Sequence, residues 1–258
     1  MKVNYHTHTT RCNHATGTER EYVEAAIANG IQILGFSDHT PYTFGEGYQH
    51  GMRMSMQQLE SYVNTVLSLK KEYEKDITIR LGLEVEYFPQ FFDSLLEELR
   101  HYPIEYFLLA QHFLGNGHRS NLPATRKSED PAYLAEYCQL LIDAMATDRF
   151  TYLAHPDVIH YMGDEAIYDQ YMRKLCHTAN AHGLPMEINF LGIAENRLYP
   201  RDAFWKIAGE EHCQVILGLD AHHVPAFTYQ ECHEKAMDLV RKYDLNLIED
   251  VALKNPLF

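Results

Sequence analysis

Residues Ile77–Tyr87 read ITIRLGLEVEY, and this run decides the fold. Successive side chains of an extended strand point to opposite faces. Ile77, Ile79, Leu81, Leu83 and Val85 therefore share one face, and Arg80, Gly82, Glu84 and Glu86 share the other. The apolar face asks to be covered by helices. The carboxylates then point to the opposite side, where a buried acid is costly unless it is paired or metal-bound.

Working outward, similar short runs occupy Lys2–Tyr5, Gln32–Ser37, Glu105–Gln111, Thr151–Ala154, Pro185–Asn189 and Gln214–Leu219. Stretches with helical periodicity lie between and after them, near Glu19–Asn29, Met56–Lys75, Gln90–Arg100, Pro131–Thr147, Glu165–His182, Arg201–Glu211 and Thr228–Tyr243. Strand–helix alternation of this kind predicts a parallel sheet. Seven such repeats in 258 residues favour a closed barrel. A doubly wound open sheet is the runner-up, but no GxGxxG follows the first run and no Walker loop is present. The tail, Leu245–Phe258, is expected to add a short element or to wrap the surface, and residues 1–258 are expected to form a single domain.

In a parallel barrel every strand opens its C-terminal end on the same rim. His6 and His8 follow the first run, His39 ends the second, and Glu84 and Glu86 sit late in the third. His112 ends the fourth, His155 the fifth, and Asp220 and His222 the seventh, while His14 lies in a loop after the first. Taken singly, each has an ordinary explanation: a polar residue at a strand end, or a histidine satisfied in the core. Taken together, imidazoles with a few carboxylates around one mouth are a transition-metal environment. One ion takes about four to six ligands. The rim offers more than that, so more than one ion is expected, with a carboxylate as bridge. Glu84 and Glu86 share a face, and periodicity does not choose between them. Asp38 is expected to orient His39 from outside the ligand set. His223 should face away, and His50, His101, His118, His160, His177, His182, His212 and His233 read as surface or structural residues.

Composition narrows the partners. Hydrophobic residues make up 46% of the chain, with no apolar run long enough for a membrane span and no signal-peptide pattern. The net charge of −14 disfavours a nucleic-acid binder, which needs a basic footprint. Five scattered cysteines without a CxxC pair suggest reduced thiols and a cytoplasmic setting.

The combination HTHT, SDH, GLE, QH, HP and GLDAH, spread over the whole chain, resembles the polymerase-and-histidinol-phosphatase (PHP) superfamily. RMSMQQLESY, from Arg53, and FLGIAENRLYP are similar to its histidinol-phosphate phosphatase branch. The resemblance implies a distorted (β/α)7 TIM-like barrel with three divalent transition-metal ions, for which Zn, Fe and Mn all suit the ligands. Carried over position by position, it implies one ion on His6, His8, Glu84 and Asp220, and a second on His14, His39 and His222. It implies a third on Glu84, His112 and His155, with Glu84 as the bridge; only the resemblance makes that choice.

The expected reaction is hydrolysis of a small-molecule phosphate monoester, L-histidinol phosphate first, in histidine biosynthesis. A metal-bridging hydroxide would attack phosphorus in line, and Asp220 or a rim histidine would meet the leaving alkoxide. Arg197 is the first choice for a bidentate phosphate contact and Arg53 the second. Thr40–Met54 is expected to be either a water-excluding lid or a static loop. The alternatives are a phosphoesterase acting on phosphotyrosine, a sugar phosphate or a nucleotide, and a non-catalytic metal-binding module. A TIM-barrel amidohydrolase also starts with HxH, but it usually relies on a strand-borne lysine, and none of the seven runs ends in lysine.

Overall fold

A computed structural model of the chain describes residues 1–45, 47–115 and 122–258. His118 and one residue of the Thr40–Met54 segment, Glu46, lie outside the described residues. The first strands fall within the expected runs: β1 (Val3–Asn4), β2 (Ile33–Phe36), β3 (Thr78–Val85) and β4 (Tyr106–Leu109). A small antiparallel hairpin, β5 (Phe113–Leu114) with β6 (Leu122–Pro123), follows. The main sheet resumes with β7 (Tyr152–Leu153), β8 (Met186–Asn189), β9 (Gln214–Gly218) and β10 (Asn246–Leu247). Its eight strands are all parallel, in the order β1-β2-β3-β4-β7-β8-β9-β10.

The helices are α1 (Glu19–Ala28), α2 (Met56–Glu72), α3 (Pro89–Leu99), α4 (Pro131–Met145), α5 (Glu165–Ala181), α6 (Phe190–Ala194), α7 (Asp202–Glu210) and α8 (Gln230–Tyr243). Their starts carry the expected local signals. Thr18 and Glu21 form a capping box on α1, Ser55 and Gln58 form one on α2, and α3 and α4 begin with proline. None among the described residues is long and apolar enough to cross a membrane.

The sheet curls into a TIM-like barrel whose ends meet unevenly. At the rim the strand ends join through a parallel bridge between Thr7 and Ala221, with His8 N donating to Ala221 O (2.9 Å) and Ala221 N to His6 O (3.2 Å). Deeper down, the Asn4 side chain bridges the gap, accepting from Leu219 N (2.9 Å). At the base β10, from the tail, pairs with the start of β9 (Asn246 with Gln214, Leu247 with Val215). The seven expected repeats are thus joined by an eighth short strand, which hydrogen-bonds the β9 edge that β1 leaves free at the base.

Two layers of core follow from the alternation. Ile79, Leu81, Leu83 and Val85 pack outward with the helices, in one large cluster. Val3, Tyr5, Tyr106, Leu108, Tyr152 and Ile216 fill the inside of the barrel. Tyr106 is fully buried there, its hydroxyl donating to Tyr5 O (2.7 Å). A Cβ on Gly35 or Gly82 would collide with its ring, which is why glycine stands at both positions.

Candidate metal centre

The predicted rim residues converge. Glu84 is 2% exposed and lies among five imidazoles. Its carboxylate is 2.8 Å from His39 Nδ1, 2.9 Å from His155 Nε2 and 3.3 Å from His6 Nε2. His112 Nε2 and His8 Nε2 stand 3.6 and 3.7 Å away. Asp220 Oδ1 lies 3.1 Å from His8 Nε2, 3.4 Å from His6 Nε2 and 3.3 Å from His222 Nδ1. His14 closes the outer side, its ring 4.7 Å from that of His222 and 5.3 Å from that of His39.

Local backbone explains how these side chains are aimed. His39 bridges to Glu84 in the next strand, so β2 and β3 present both residues at one height. A 3₁₀ turn over Thr10–Cys12 and a left-handed Asn13 (φ 68°) fold the chain back, bringing His14 over the mouth. His155 (φ 28°) and Asp220 (φ 49°) are also left-handed, a strained state for residues with side chains and one concentrated at functional sites. Asp220 therefore does not reach His222 by simple strand alternation; the turn of the backbone brings them together. Glu84 and Glu86 share a face, but one pleat separates them. Glu86 sits above the cluster, accepting from His112 N (2.8 Å) and Phe113 N (2.9 Å) and pairing with Arg53.

Asp38 departs from the expectation. Its carboxylate faces His8, with Oδ1 3.5 Å from His8 Nδ1, and takes hydrogen bonds from Thr9. His39 gives it only a backbone N–H (2.8 Å). The reason is geometric: neighbours in a strand point to opposite faces, so Asp38 cannot follow the His39 ring. Two further residues join the site. Cys12, fully buried, has its sulfur within 4.8 Å of donor atoms of His8 and His222. Glu187 lies beneath His6. Glu187 was legible in principle, since Glu187 and Asn189 alternate with Met186 and Ile188 as the acids of β3 alternate with its aliphatics.

The arrangement fits cations. Several buried donor atoms have no hydrogen-bond partner, among them His6 Nε2, both nitrogens of His8, His222 Nε2, Glu84 Oε2 and Asp220 Oδ1. Such atoms are rare in folded proteins and ask for an explanation. The donors also fall into compact groups within 4.8 Å: His14, His39 and His222; His6, His8 and Glu84; His39, Glu84 and His112; His6, His155 and Asp220. Burial opposes the charge on Glu84, yet His39, His112 and His6 hold it well below the usual carboxylate range. Asp220 is likewise opposed by burial and held low by His6 and His222. Against its own burial, His8 is pushed up to about 9 by Asp220 and Asp38. The site gathers positive charge, as protons or as divalent ions.

Arg53 is 3% exposed, packed on Tyr42, Phe44 and Phe88 and paired with Glu86. Arg197 follows α6 at the mouth, its side chain 44% exposed, held by Glu195 (2.7 Å) and Tyr199 Oη (3.0 Å). Tyr199 in turn lies beside His155, the rings tilted and their centres 5.8 Å apart. Tyr42 and Phe44 anchor the first part of Thr40–Met54 against Phe88. Of the other histidines, His50 is buried against Phe113 and His177 pairs with Glu211.

A parallel β/α barrel carrying carboxylates and imidazoles at its C-terminal rim defines the class: a TIM-like protein with a multi-ligand centre for divalent metal. The PHP domain model matches residues 4–190, and the chain belongs to the PHP domain family. A Deinococcus radiodurans protein described as "Probable histidinol-phosphatase" is 28% identical over 224 residues, covering 84% of this chain and 85% of that one. The Bacillus subtilis histidinol-phosphatase is 29% identical over 182 residues, 68% of this chain and 59% of its own length. The crystal structure of Lactococcus lactis histidinol phosphate phosphatase, complexed with Zn, L-histidinol and phosphate, shares the fold at a TM-score of 0.71. That likeness covers 99% of this chain and 97% of the other at 18% identity.

Proposed function

We propose that this chain is a metal-dependent histidinol-phosphate phosphatase, cleaving L-histidinol phosphate to L-histidinol and phosphate, and that residues 1–258 work as one phosphoesterase domain. The observation that carries the reading is Glu84, one buried carboxylate reached by five imidazoles, with Asp220 beside it. The Deinococcus, Bacillus and Lactococcus relatives supply the substrate.

Three ions suit the donor set, held by His6, His8, Glu84 and Asp220, by His14, His39 and His222, and by Glu84, His112 and His155. Zn is the first candidate, by analogy with the Lactococcus protein, with Fe and Mn also compatible. When bound, such ions supply positive charge for the phosphoryl oxygens and lower the pKa of a water molecule. Tyr106 and the other interior side chains fill the barrel below, so substrate approaches the centre from the rim. Arg197 meets the phosphate there, exchanging its exposed Glu195 contact, a weak surface pair, for a doubly charged oxyanion. Arg53 is the second candidate, and its buried pairing with Glu86 ranks it behind Arg197. A protonated rim histidine hands a proton to the leaving alkoxide, while Asp220, held well below the usual carboxylate range, serves as a ligand carboxylate.

The test is phosphate release across added metals, with histidinol phosphate beside phosphotyrosine, sugar phosphates and nucleotides. Fastest turnover of histidinol phosphate, abolished by a chelator, is expected. Preference for another ester would overturn the substrate, and bound metal without release on any ester would favour a non-catalytic module. Arg197→Ala is expected to raise KM by roughly tenfold to a hundredfold, the worth of a charged hydrogen bond, with a smaller change in kcat. Unchanged kinetics would remove Arg197 from the phosphate site.

A further inference from the structure

Glu187 is fully buried on β8, below the cluster and outside every ligand group described above. Its two oxygens make four contacts. Oε1 lies 2.8 Å from His6 Nδ1 and accepts from Tyr152 Oη (3.2 Å). Oε2 accepts from His155 N (3.2 Å) and from Asn189 Nδ2 (2.8 Å). The Asn189 amide is itself fixed, because its Oδ1 accepts from Gly192 N (3.0 Å). Room for the carboxylate comes from Gly218, where a Cβ would collide with Oε1.

Two of these contacts are fixed donors, the His155 amide and the Asn189 NH2, and both fall on Oε2; the Tyr152 hydroxyl lies on Oε1. Oε2 is thereby fixed as an acceptor, and with Tyr152 donating to Oε1 the group accepts on both sides. The fourth contact then has to be a donor too, placing the His6 proton on Nδ1. His6 Nε2, buried without a hydrogen-bond partner and facing Glu84 at 3.3 Å and Asp220 at 3.4 Å, is then the nitrogen available to an ion. A histidine oriented by a carboxylate on its far nitrogen is a better and more rigid metal ligand.

We propose that Glu187 is a positioning residue, fixing His6 with its proton on Nδ1 so that Nε2 is open to an ion; this rests on the metal-centre reading above. The four-donor environment gives a sharp signature. Glutamine has the same shape, but its NH2 cannot face His155 N and Asn189 Nδ2. It has to turn toward His6, where it forces the proton from Nδ1 to Nε2 and blocks the ligand atom. Glutamine should thus be no better than alanine, whereas a residue that merely fills space would accept glutamine and suffer from alanine.

The experiment compares zinc affinity of the full-length wild type, Glu187→Gln and Glu187→Ala by competition with a chromophoric chelator. Thermal melts of the metal-free proteins and the His6 Nδ1–H signal in long-range 1H–15N spectra of the zinc-loaded proteins accompany it. Both variants are expected to bind zinc about 10–100-fold more weakly, with Gln at least as poor as Ala and the Nδ1–H signal lost. Wild-type affinity in the Gln variant overturns the proposal, as does an Nδ1–H signal that persists there. If the Ala variant does not fold, the Gln comparison decides. A wild type that takes up no zinc overturns the metal-centre reading together with this one; zinc-binding wild type with unaffected variants overturns this one alone.

Discussion

Glu84→Ala should cost more than about a hundredfold in phosphate release and leave the purified protein short of at least one ion per chain. The scale follows from comparison: residues that only orient a ligand are worth roughly 10–100-fold in metal affinity or activity. Glu84 touches His6, His8, His39, His112 and His155 directly, so its loss undoes the arrangement those residues share. The alanine also leaves a cluster of imidazoles with one carboxylate fewer to offset either protons or ions. Glu84→Gln is the companion variant, keeping the shape while removing the charge. Metal content by plasma mass spectrometry and histidinol phosphate turnover are measured together. A Glu84→Ala protein that keeps its full complement of ions and its rate would end the bridging role.

Arg53→Ala is expected to destabilise the fold by about 3–5 kcal/mol, because it strands Glu86 as a buried, unpaired charge. The lower end of that range is the better estimate, since Glu86 keeps the amides of His112 and Phe113 as donors. The alanine also removes the guanidinium from the faces of Tyr42, Phe44 and Phe88. For a chain of this size such a change lowers Tm by roughly 10 °C. Thermal unfolding read beside steady-state kinetics separates two roles. A large fall in Tm with a small change in KM marks Arg53 as the anchor of Glu86 and of the loop that carries His112. A raised KM at unchanged Tm would make it a substrate contact instead.

Much of this architecture was legible because two periodicities coincide. The alternation in Ile77–Tyr87 separated the helix-facing aliphatics from the inward acids, and strand ends carrying histidine marked the rim before any contact was known. What alternation could not supply was height. Glu84 and Glu86 are equivalent by face, and only the register of β2 against β3, which sets His39 opposite Glu84, puts one at the cluster and the other above it. Asp38 differs: alternation itself puts it on the face opposite His39, and its partner is His8 on the neighbouring strand. The two-residue β5, β6 and β10 lie outside the longer extended runs and leave no periodic trace in the sequence. The five-residue α6 also escaped, because Phe190–Ala194 spans barely more than one helical turn. Run six was the one strand with no ligand at its end, and for that reason the inward pair Glu187 and Asn189 drew no notice.

The seam between Thr7 and Ala221 has a consequence for biogenesis. The segments it joins come from opposite ends of the polypeptide, and each delivers its own share of the metal-binding groups. Contacts so distant along the chain are slow to form, because loop closure has to precede any gain from them. A ribosome-bound chain lacking β9 has no Asp220 and no His222, so it cannot complete the centre however early its N-terminal histidines emerge. Completion of the centre is thus tied to closure of that seam, and ions bound there would act as rivets across it.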